Sequence, residues 1–122
     1  MAHKPLIPDP LKRRHLLEDD LDPARALVIA EAYLAEGRLC EALEFLAKAG
    51  ARERLEGLRD EAVALGDPFL LRAACAALGE DPGRARWTAT AEAARSAGKE
   101  VQARDAERQA QLAVAPLAGA AR

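Results

Sequence analysis

Three carboxylates, Glu31, Asp60 and Glu92, each stand six residues before a glycine (Gly37, Gly66 and Gly98), and no other spacing in the chain looks as much like a binding pattern. Gathered on one surface, such a series would attract a cationic partner, raise its rate of encounter and choose its register. Reaction chemistry has less to work with. His3 and His15 are the only imidazoles, and no histidine or cysteine pair has the one-turn spacing of a metal site. Ser96 has no histidine nearby in the sequence to activate it. The glycines are spread along the chain instead of clustering into a loop that could cradle phosphate. The sequence therefore predicts no catalytic residue, no metal and no cofactor.

Carboxylates face one way only if the elements that carry them repeat. Asp-Pro occurs at Asp9-Pro10, Asp22-Pro23, Asp67-Pro68 and Asp81-Pro82. The aspartate can accept hydrogen bonds from the open amides of a first helical turn, and the proline gives up an amide that had no partner. Each pair predicts a helix start. Gly37, Gly50, Gly66, Gly79 and Gly98 fall where the helical patterns stop, since glycine takes the left-handed conformation of a helix end without strain. The marks together predict helices over 23–36, 38–49, 51–65, 68–78, 82–97 and 99–114, with a short one over 10–18. Links this short force consecutive helices to fold back on one another. Gly37 to Gly66 is 29 residues, Gly50 to Gly79 is 29 and Gly66 to Gly98 is 32, so the chain reads as three helical hairpins in tandem.

The hairpins resemble tetratricopeptide repeats, helix-turn-helix units that stack into a superhelix. Tyr33 precedes Gly37 by four residues, and Ala42, Leu46 and Ala49 follow it by five, nine and twelve. Those are the family's aromatic, small, large apolar and small positions. Trp87, eleven residues before Gly98, stands at the family's tryptophan, with Ala103 and Ala110 at small sites. The second hairpin departs from the pattern: Arg59 takes a small site and Leu71 replaces an alanine. The closing proline is missing from the first two repeats, and the repeats are short. The resemblance implies an all-α fold, a right-handed stack of about three antiparallel hairpins over residues 22–115. An N-terminal arm over 1–21 and a tail over 116–122 flank it. In the last helix, Ala103, Ala106, Ala110 and Ala113 make a thin apolar stripe suited to a terminal cap, and Glu100 can pair with Arg104.

Composition fits this. Half of the 122 residues are apolar, but the aromatics number only one Trp, one Tyr and two Phe, which suits closely packed helices better than a sheet sandwich. The net charge of −2 offers no field for nucleic acid. No stretch approaches the length of a membrane span or a signal peptide. Cys40 and Cys75 read as buried thiols rather than a bridge, which fits a reducing compartment and a cytoplasmic location.

The resemblance also implies a binding site. The first helix of each hairpin would line a concave groove, bringing Glu31, Leu34, Glu56, Asp60, Val63 and Glu92 to the inner face, with Leu27 as a further apolar neighbour. The expected ligand is another protein, a peptide or helix, its basic residues meeting the carboxylates. A second candidate is the arm, where Lys12, Arg13, Arg14 and His15 lie among Leu6, Ile7, Leu11, Leu16 and Leu17. It could dock a partner or cover the first hairpin, although the acidic run 18–20 neutralises it. Two functions stay open. One is an adaptor, scaffold or chaperone-like interaction module. The other is a small self-associating structural subunit, suggested by Phe45, one residue off the Leu39-Ala42-Leu43-Leu46 stripe. Monomer and homodimer are both compatible with the sequence.

Overall fold

Aspartate followed by proline opens three of the helices. Asp9 accepts from the Lys12 amide at 2.9 Å, Asp22 from Arg25 at 3.2 Å and Asp67 from Leu70 at 3.0 Å. The fourth pair behaves differently. Asp81 accepts from Gly83 only two residues on, Pro82 already has helical angles and Gly83 takes φ +85°. This tight turn spends the aspartate before the helix begins, so the helix after it has no side-chain cap.

The computed structural model describes residues 7–120, with side chains up to Ala113. His3 and Leu6 lie outside the described residues, as do residues 121–122 of the expected tail. The described residues form α1 (Pro10–Glu18), α2 (Pro23–Ala35), α3 (Leu39–Ala49), α4 (Arg52–Leu65), α5 (Pro68–Leu78), α6 (Gly83–Ser96) and α7 (Glu100–Ala120), and include no strand. The fold is all-α. Boundaries agree with the sequence reading to within about a residue, except that α7 runs beyond the expected end at 114 to Ala120.

All five predicted stop glycines have φ between +66° and +76°. Each uses the same pair of backbone bonds. At Gly50, for example, its own amide donates to Ala47 O and the Ala51 amide reaches back to Leu46 O, both at 3.1 Å. The repeat is therefore physical as well as textual: one way of ending a helix is used five times.

The chain divides into two units, Met1–Leu55 and Glu56–Arg122, the boundary falling inside α4. In the first, α2 packs on α3 and α1 touches α3. Its core is Ala26, Ile29, Ala30 and Tyr33 against Ala42, Leu43, Phe45 and Leu46. In the second, α6 and α7 form the closest pair and α5 touches both. Ala94, Ala103 and Ala106 are fully buried there, which lets the helices approach as small residues should.

Two expectations change. Phe45 is fully buried and stacks on Tyr33 with ring centroids 5.7 Å apart. It is a core residue, and the reason for self-association that rested on it is gone. Cys75 is buried as expected but Cys40 is exposed, and neither is in a disulfide. Cys40 shares the outer face of α3 with Glu44 and Ala47, opposite the stripe that meets α2. In the second hairpin, Leu71 is fully buried. Arg59, with 14% of its side chain exposed, is neutralised by Asp60 at 3.1 Å and Glu80 at 3.0 Å.

Candidate interaction surfaces

The six residues expected in a groove fall on both units: Glu31 and Leu34 in the first, Glu56, Asp60, Val63 and Glu92 in the second. Leu34, Glu56 and Val63 are half-buried. Glu31 is held by the guanidinium of Arg54, beside a shallow hollow lined by Leu27 and the first turn of α4. Asp60 is exposed and shares Arg59 with Glu80. Glu92 stands at an open groove of about 380 Å3 between α6 and α7, floored by Ala91 and Ala110. Its neighbours include an ion pair, Arg95 to Glu107, at 2.7 Å. Glu100, which the sequence offered to Arg104, lies 3.9 Å from this same Arg95. Of the three recurring carboxylates, then, two sit beside an arginine of their own unit, which weakens the charge they offer to a partner.

The basic cluster of the arm is divided. Arg13 donates to Glu44 of α3 at 2.8 Å, and Arg14 donates to Glu18 one turn on at 3.2 Å. Lys12 and His15 are exposed. Arg13 thus binds the arm to the first hairpin, which accounts for one cation of the cluster within the chain itself.

Sequence reasoning missed an apolar surface on the second unit. Phe69 is 66% exposed and Val101 76%, with Leu65 at 40%. Two contacts tie together the helices that carry them. Lys99 Nζ donates to Leu65 O at 2.9 Å, which brings the start of α7 to the end of α4. Arg72, one turn after Phe69, lies 3.6 Å from Asp105, one turn after Val101. Leu65 and Phe69 are separated only by the bend at Gly66. The signal was present in the sequence, because Phe69 is off the Leu70-Leu71-Ala74-Cys75-Leu78 stripe of α5 by one place.

Among the described residues, no group of three or more His, Cys, Asp or Glu is placed to hold a metal, and no helix is long and apolar enough to cross a membrane. No protein family, characterised protein or solved structure matches the chain.

Proposed function

We propose that the chain is a protein–protein interaction module of tetratricopeptide-like hairpins, stacked with the family's right-handed sense, acting in the cytoplasm as an adaptor or scaffold. The observation that carries the interaction reading is the exposed trio Leu65, Phe69 and Val101. Large apolar side chains grouped on a surface gain free energy when a partner covers them, at about 25 cal/mol per Å2 removed from water. The partner is a peptide or helix with an apolar face and basic residues. Its apolar face covers the trio, and its cations meet Asp60 and Glu92 of the same unit. Glu92, which is exposed, contributes more to that attraction than Asp60, which Arg59 already engages. Such charges act mainly on encounter rate and register.

Affinity capture from native lysate, with mass spectrometry of what is retained, identifies the partner. Phe69→Ser with Val101→Ser should then weaken binding by tenfold or more, on the order of two buried apolar anchors. Asp60→Ala and Glu92→Ala together should slow association and reduce its salt dependence. An affinity indifferent to both sets of variants and to salt rules the reading out.

Self-association is the second reading, and the same trio favours it. Light scattering across a concentration series separates the two. A mass that stays at one chain supports the adaptor, and an oligomer abolished by Phe69→Ser supports the subunit.

A further inference from the structure

Within the second unit, α7 packs on α6 and α5 through one side, where Ala103, Ala106 and Ala110 are buried. On its opposite side Val101 is 76% exposed and Leu112 55%. Asp105 and Arg108 stand between them. At 3.6 residues per turn, positions 101, 105, 108 and 112 fall within about 60° of one another, a single stripe about 16 Å long. Asp105 lies 3.6 Å from Arg72, with 35% of its side chain exposed. Arg108 is exposed and makes no ion pair among the described residues. From either end the stripe runs apolar, charged, charged, apolar, and reversal exchanges the sign of the charges. A copy laid antiparallel therefore sets apolar on apolar and acid on base at all four positions. A parallel copy would set Asp105 beside Asp105 and Arg108 beside Arg108. A slip of one turn would set an apolar side chain against a charge.

We propose that two copies of the chain pair through these stripes, antiparallel about a two-fold axis between Ala106 and Glu107, with Val101 of each against Leu112 of the other and Asp105 of each against Arg108 of the other. This rests on the self-association reading and gives it a face and a register. The same surface serves both copies, so the contact closes at two chains. Each end has more apolar surface to cover. Leu65 and Phe69 are exposed on helices that Lys99 and Arg72 tie to the first turns of α7. At the other end, a hollow of about 360 Å3 lined by Trp87, Gln109 and Ala113 opens beside Leu112, which gives the incoming valine a recess. A stripe of this length makes a small interface, and small interfaces form and part with concentration. The two charged contacts fix which register wins.

Sedimentation equilibrium of the full chain from about 1 μM to about 1 mM, the span of weak association, tests this. The wild type should reach the mass of two chains and no more. Arg108→Glu sets like charges together in both contacts and should weaken the dimer by about tenfold or more. Leu112→Ser, outside the exposed trio, should weaken it by a similar factor. Asp105→Arg alone should weaken it too. An equimolar mixture of Asp105→Arg and Arg108→Glu chains should nevertheless pair about as tightly as the wild type, because each contact again joins acid to base. High salt should loosen the wild-type dimer and tighten that of Arg108→Glu. If Asp105→Arg fails to fold for want of its contact with Arg72, Arg108→Glu and Leu112→Ser decide alone. The mass of one chain throughout overturns this pairing and the self-association reading together. An oligomer that withstands Arg108→Glu and Leu112→Ser, or a mixture no tighter than its parts, overturns the pairing and leaves self-association to another face. Masses that climb past two chains overturn the closed two-fold arrangement.

Discussion

Gly66 lies against the backbone of Ala94 with no room for a methyl group between them: a Cβ on Gly66 would sit 2.5 Å from Ala94 Cα and 2.9 Å from Ala93 C. The contact brings the bend after α4 onto the last turns of α6, and Lys99 secures it from the next link by donating to Leu65 O. Both sides of the contact are main chain, so neither can swing away as a side chain would.

Gly66→Ala should therefore cost more than the strain of its left-handed backbone alone. Gly79 is the internal control: its φ is +73°, close to the +69° of Gly66, but nothing lies within 4 Å of a Cβ there. Chemical denaturation should give a loss of about 1–2 kcal/mol for Gly79→Ala. Gly66→Ala should lose at least about 1 kcal/mol more, as forced overpacking does. Equal losses would mean that α6 moves aside freely.

The two thiols should be told apart by reagent. Cys40 is exposed and Cys75 buried, and burial pushes the Cys75 thiol above its ordinary pKa, so thiolate is scarce as well as covered. A thiol-reactive dye at neutral pH should modify Cys40 promptly in the native chain. Cys75 should react only on the timescale of unfolding, and at once in denaturant. Equally fast labelling of both would contradict the packing of α5.

Acid should remove a contribution from Glu41. Arg38 hydrogen-bonds to its carboxylate at 2.9 and 2.6 Å and holds its pKa below the ordinary value. A carboxyl whose folded pKa is lowered adds stability above its unfolded pKa and loses it as pH falls through the folded one. The pair is partly exposed, so the gain is under about 1 kcal/mol. Urea melts of the wild type and Glu41→Gln should differ from pH 7 down to the ordinary glutamate pKa of about 4.3 and converge as the pH falls below it. A difference that widens in acid would reverse the sign.

Arg59 should resist replacement by lysine. Its Nε serves Asp60 and its Nη1 serves Glu80, a two-ended reach that a single ammonium cannot copy. Arg59→Ala should cost about 1 kcal/mol or more by thermal or chemical melting, through the lost stem and the lost bonds. Arg59→Lys should recover less than half of that. Full recovery would reduce Arg59 to a simple positive charge.

Helix positions were legible in the sequence because their causes are local. Asp9, Asp22 and Asp67 can reach amides three residues on wherever the chain is placed, and the stop glycines need only their own backbone freedom. The failure at Asp81 is equally local, since the glycine after Pro82 offered the aspartate a nearer amide. The binding surface was less legible. Glu31, Asp60 and Glu92 recur in register, but the arginine that engages Glu31 is Arg54, two helices on in α4.

Phe45 and Phe69 show where local information ends. Each is one place off the apolar stripe of its helix, and nothing in the residues around them separates the two. Phe45 is buried and stacks on Tyr33 of α2, whereas Phe69 stays 66% exposed. Spacing along a helix fixes the direction in which a side chain points. What waits in that direction comes from distant parts of the chain, and only the tertiary structure supplies it.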